Sequence, residues 1–143
     1  MGDRRLAREL ALKALFCCDT GKKEDPKELL KLFCLNFEDE FEYLKKESIY
    51  SFFYLLVNGV LESSIEIDGF INKCSKNWRI SRMSIVDRNI MRIAIFEILK
   101  CSDIPSNVSI NEALEISKKY SDTCSGPFIN GVLNHVLILI KTK

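Results

Sequence analysis

Residues 49–61, IYSFFYLLVNGVL, are apolar on almost every side of a helix. A helix that is apolar all round has to be wrapped by other elements. The run is also far shorter than the roughly 20 apolar residues that a membrane-spanning helix needs. The chain must therefore build its own enclosure, and helical periodicity elsewhere provides it. No segment shows strict two-residue alternation, and no repeat of fixed period appears. With 3 prolines and 6 glycines in 143 residues, little chain is left for long loops. The expected fold is all-α, with about seven helices. A length of 143 residues, with 47% hydrophobic and 29% charged, suits a single globular domain over 1–143 with a real core.

The expected helices follow from local signals. The first runs from about residue 4 to 19 with Asp3 as N-cap. At about 100° per residue, Leu6, Leu10, Ala14 and Cys17 share one face, flanked by Ala7, Ala11 and Cys18. Arg4, Arg5 and Arg8 fall on the other side as a displayed patch, with Lys13 apart from them. Asp25-Pro26-Lys27-Glu28 reads as a helix start, with a short helix to about Phe37. An acidic stretch follows, with Phe37, Phe41 and Leu44 at helical spacing. The apolar helix from Ser48 is expected to continue through Ser63 to about Lys73. Ser84-Ile85-Val86-Asp87 reads as a capping box that opens the next helix. On that helix Ile90, Ile93 and Ala94 face inward with Phe96–Leu99, while Arg88 and Arg92 stand one turn apart on the polar face. Ser109-Ile110-Asn111-Glu112 reads as a second capping box, with a helix to about Tyr120. The last helix carries Pro127 in its first turn.

Formal net charge is +1, which marks no nucleic-acid binder globally. Charge is nevertheless polarised. Residues 1–72 hold 10 Lys+Arg against 14 Asp+Glu, a net of −4, and residues 73–143 hold 11 against 6, a net of +5. Arg4, Arg5 and Arg8 form a basic island on the acidic half, so any attraction for a polyanion is local. Positive charge at a helix N-terminus opposes the helix dipole by roughly 0.3–1 kcal/mol per charge. The residues alone leave two readings open: a solvated helix end, or a grip on phosphate.

The 6 cysteines, Cys17, Cys18, Cys34, Cys74, Cys101 and Cys124, show no CxxC spacing. Their neighbours are mostly apolar, so they are expected to be small buried hydrophobes in a reducing compartment. The only histidine, His135, lies in an apolar helix and reads as a core position, so no metal site is expected. No cofactor-binding loop, catalytic carboxylate pair or nucleophile motif appears, and the expectation is a protein that is not an enzyme and needs no cofactor. Charge from Asp3 onward and no apolar leader predict a cytoplasmic protein without membrane contact.

Four stretches in register carry a resemblance. RRLARELALKALF, NWRISRMSIVDRNIMRIAIFEIL, DIPSNVSINEALEISKKYS and FINGVLN together resemble the transcription antitermination factor NusB family, over nearly the whole chain. That resemblance implies two small helical bundles packed into one RNA-binding domain, with halves about 1–76 and 77–143. It implies binding of boxA, a short single-stranded RNA element of nascent ribosomal RNA. Binding is joint with NusE, a small-subunit ribosomal protein, in the transcription elongation complex. It puts Arg4, Arg5 and Arg8 on the RNA, with Phe128 stacking on an unpaired base and Asn130 reading a base edge. It sets Phe16 and Asp87 near the partner surface. From the residues alone, Phe128 also reads as core or a hydrophobic staple, Asn130 as a local hydrogen-bonding residue, Phe16 as core and Asp87 as a cap. Gly131 is expected to permit a close helix approach. Two departures lower the local charge available to RNA: Leu6 stands where family members often carry a third basic residue, and Thr123–Pro127 replaces a loop usually bearing acidic and lysine residues.

Two rival readings remain at this stage. One is a helical protein-interaction module whose arginines never meet RNA. The other is a homodimer that uses the same helical surfaces.

Overall fold

The computed structural model describes residues 2–21, 42–76 and 78–142. The expected helix from Asp25 to Phe37, and Phe37 and Phe41 of the acidic stretch, lie outside the described residues. Among the described residues there are six α-helices: α1 Asp3–Gly21, α2 Glu47–Glu62, α3 Ser64–Cys74, α4 Ile85–Lys100, α5 Ser106–Tyr120 and α6 Ser125–Lys141. Two short 3-10 turns, Glu42–Lys45 and Ile80–Arg82, complete the described elements, and no strand occurs among them. The all-α expectation holds. No described helix is long and apolar enough to cross a membrane.

The chain forms two compact units, Met1–Glu62 and Ser63–Lys143. In the first, α1 packs along α2. The α1 stripe Ala7, Leu10, Ala11 and Ala14 is buried, as are Phe53, Leu56 and Val60 of α2. Alanine at three of these α1 positions lets the helix axes approach closely. The expected all-round burial of α2 is not what the structure shows, because Tyr54 and Leu55 are 40% and 47% exposed. Leu44 is buried in the first 3-10 turn.

In the second unit, α4 packs on α3, α5 and α6, and α3 also packs on α6. Met91, Ile95, Ile129 and Leu133 are among its fully buried side chains. Burying each is worth roughly 1.5–3 kcal/mol, which makes α4 and α6 the stable centre of this unit.

Three boundaries differ from expectation. The helix expected from Ser48 to Lys73 is two helices, α2 and α3, that break at the adjacent serines Ser63 and Ser64. Serine hydroxyls compete for backbone groups and favour helix ends. Helix α5 begins at Ser106, not Ser109. Ser109 is buried within it, and its hydroxyl donates to Glu97 Oε1 at 2.7 Å. Asp3 does not act as expected either, since its carboxylate turns to the start of α2 and the residue before it. Lys46 Nζ donates to it at 3.3 Å and Ser48 Oγ at 2.8 Å.

Candidate nucleic-acid interface

The first candidate patch opens α1. Arg4 and Arg8 are one helical turn apart, so they share a face. That face meets Phe52 of α2: the guanidinium carbons lie 5.0 Å and 5.3 Å from the ring centroid. Arg4 stays exposed and Arg5 half-exposed. Arg8 is only 3% exposed, so it does not belong to a displayed patch as expected. The aromatic face attracts the cation and its stem packs as an apolar group. Glu9 beside it is also buried. The Ser48 hydroxyl, and after it the Lys46 ammonium, hold the Asp3 carboxyl below the usual carboxylate range. Farther along α1, Phe16 is at the surface, 37% exposed, which rules out the core reading.

The second candidate patch lies where α4 and α6 begin. Ser84 caps α4, accepting the Asp87 N–H at 3.0 Å. The Asp87 carboxylate does not serve that cap. Its two oxygens accept the hydroxyls of Ser121 at 2.7 Å and Ser125 at 2.8 Å. One carboxylate thus ties the start of α4 to the start of α6, which holds Phe128 in place one turn in. Phe128 is half-buried, and with Trp78, Arg82, Asp87 and Cys124 it lines a cleft of about 290 Å³. Asn130 is exposed, and Asn134 Nδ2 donates to its Oδ1 at 2.9 Å, which fixes how its amide is presented.

Trp78 and Arg82 were not singled out from the sequence. The signal was present: a lone tryptophan among arginines in WRISR, next to a capped helix. Trp78 is 54% exposed. Two residues past the end of α3, Lys76 is in the left-handed region, φ 55, a helix-terminating conformation that usually falls to glycine. The Ser75 hydroxyl donates to the Trp78 carbonyl, and the Trp78 N–H donates back to the Ser75 carbonyl. This turn sets the tryptophan on its surface.

The remaining singled-out residues have other tasks. Arg92 forms a fork on Asp68, Nε to Oδ1 at 2.8 Å and NH2 to Oδ2 at 2.9 Å, and adds the Asn89 side chain through NH1 at 3.0 Å. It staples α4 to α3. Arg88 donates to the Ile80 carbonyl at 3.4 Å. A Cβ on Gly131 would meet nothing within 4 Å, so no close helix approach explains this glycine. His135 is half-exposed in a groove with Lys76 and Asn134, not a core position. Cys17, Cys18, Cys74 and Cys101 are buried as expected, while Cys124 is exposed. Burial pushes the Cys17 and Cys74 thiols up, which makes them unreactive near neutral pH. Among the described residues no group of three or more His, Cys, Asp or Glu could hold a metal ion.

Together these features define a class: all-helical proteins of two compact units with aromatic and basic residues on their surfaces. The profile of the NusB family matches residues 5–137. The chain is 57% identical over 139 residues to the transcription antitermination protein NusB of Desulforapulum autotrophicum, covering 97% of this chain and 94% of that one. It belongs to the NusB family. A crystal form of T. maritima NusB matches with a TM-score of 0.81 at 32% identity, over 96% of this chain and 92% of that one. A structure of antitermination factors NusB and NusE in complex with double-stranded RNA matches with a TM-score of 0.83 at 27% identity, over 97% and 98%.

Proposed function

We propose that this chain is a transcription antitermination factor that binds the boxA element of nascent ribosomal RNA together with NusE, supporting processive transcription and ribosome synthesis. The observation that carries this reading is the end-to-end match to a NusB solved with NusE and RNA. The whole chain, 1–143, acts as one RNA-binding domain within the elongation complex. The work is done by binding alone, with no bond made or broken, and it takes place in the cytoplasm, where transcripts emerge.

Arg4 and Arg5 supply charged forks for phosphate oxygens. Arg8, from its buried position on Phe52, holds that end of α1 and adds to the local field. Phe128 offers a ring face to an unpaired base, and the fixed amide of Asn130 reads a base edge. Phe16 serves the partner, and Asp87 stands where the partner and RNA surfaces meet. The exposed Phe16, Tyr54 and Leu55 also support a second reading, in which this surface docks protein alone or a second copy of the chain.

The test is a titration of fluorescent boxA RNA with the protein, alone and with NusE, across a salt series. A scrambled RNA and an Arg4/Arg5/Arg8→Ala variant serve as controls. The expected result is tightening by NusE, loss in the variant, and a salt slope of about −0.7 per phosphate contacted on a single strand. Binding of NusE with no response to RNA at any salt would leave an interaction module.

A further inference from the structure

Resting on the RNA-binding reading, we propose that the cleft between Trp78 and Phe128 is a pocket for one unpaired RNA base that carries an exocyclic amino group. Trp78 is the main stacking platform and Asp87 the acceptor for the amine. The argument starts from size. At about 290 Å³ the cleft falls at the small end of ligand sites, which run from roughly 300 to 1,000 Å³. It admits one flat group and not a folded strand.

Charge decides which part of a nucleotide enters. Asp87 and Asp122 both line the cleft. Carboxylates repel a phosphate, so the sugar-phosphate chain stays at the rim, where the exposed Arg82 lines the same cleft. Trp78 and Phe128 supply flat apolar surface for the base itself, and stacking of this kind tolerates any base.

Hydrogen bonding then narrows the choice. Each Asp87 oxygen already accepts one serine hydroxyl, from Ser121 or Ser125. A carboxylate has about four acceptor positions, so each oxygen retains one. The amino groups of cytosine, adenine and guanine can donate there. Uracil has no amino group, and its one ring donor, N3–H, lies between two carbonyl oxygens that a carboxylate repels.

Trp78 is the only tryptophan in the chain, so its own emission reports the pocket. Single-stranded boxA RNA is titrated into the protein bound to NusE, with Trp78 fluorescence and the anisotropy of labelled RNA read in parallel. A Trp78→Phe complex supplies the partner's background emission. The expected result is a fall in Trp78 emission, by about half or more, with the same midpoint as anisotropy. Trp78→Ala weakens RNA binding about 10-fold, and Trp78→Phe stays within about 3-fold because a ring remains. Circular dichroism confirms that the variants fold. An abasic scan along the RNA finds one nucleotide whose removal abolishes the Trp78→Ala effect, and that base is cytosine, adenine or guanine. Anisotropy showing tight binding while Trp78 emission is static and Trp78→Ala binds normally overturns the pocket and leaves the RNA-binding reading standing. A scan that lands on uracil overturns the role given to Asp87. RNA that fails to bind the complex at all overturns both.

Discussion

The opening of α1 and the cleft beside α6 combine arginine with aromatic rings in opposite ways. At α1 the ring is the support: Phe52 is nearly buried, and two guanidinium groups rest on it. At the cleft the rings are the open surface, while the best-placed arginine of α4, Arg92, is spent on Asp68. The contrast teaches that an arginine on a polar helix face is not thereby a surface charge. What decides its use is whether a neighbouring element presents a ring or a carboxylate within reach.

The largest expected effect falls on the α1 side. Phe52→Ala removes a nearly buried ring and should destabilise by about 3 kcal/mol in urea unfolding. Phe52→Leu keeps most of the apolar volume and should lose only about 1–2 kcal/mol. Equal losses in the two variants would mean that the ring's attraction for Arg4 and Arg8, and not its buried volume, carries the effect.

On the cleft side, Arg92→Ala leaves Asp68 without its fork in a site where the side chains are 14% and 27% exposed. A loss of about 2–3 kcal/mol is expected in the same assay. Lysine cannot make the paired bonds, so Arg92→Lys should recover little of it. Arg82→Ala, at an exposed position, should change stability by no more than about 0.5 kcal/mol. A larger loss there would give Arg82 the structural role assigned to Arg92.

The smallest effect has the opposite sign. Gly131→Ala in the open interior of α6 should stabilise by about 0.5–1 kcal/mol, seen as a higher midpoint. Destabilisation would show that this face of the helix is occupied.

Much of the architecture was legible from local signals. Ser84 reads correctly as a cap because its partner, the Asp87 N–H, is three residues away. Ser109 reads wrongly for the same reason in reverse. Its partner is Glu97, on another helix, and a serine with a glutamate three residues on looks like a cap whether or not it is one. The break at Ser63 lay in plain view as a serine pair inside an otherwise strong helical pattern. Within the candidate site, the period of α1 put Arg4 and Arg8 on one face, yet could not foresee Phe52, 48 and 44 positions along the chain. Trp78 was hidden differently: it belongs to no helix face, and only the turn at Lys76 shows where it goes.

The Asp87 carboxylate bonds to partners 34 and 38 residues further on. During synthesis α4 emerges with this acid exposed, long before Ser121 and Ser125 exist. Closing so wide a loop is slow compared with coiling a helix. The cleft is thus among the last features of this unit to be completed, and a half-made chain has the helix but no pocket. The cleft exists only once α6 has been made and has docked.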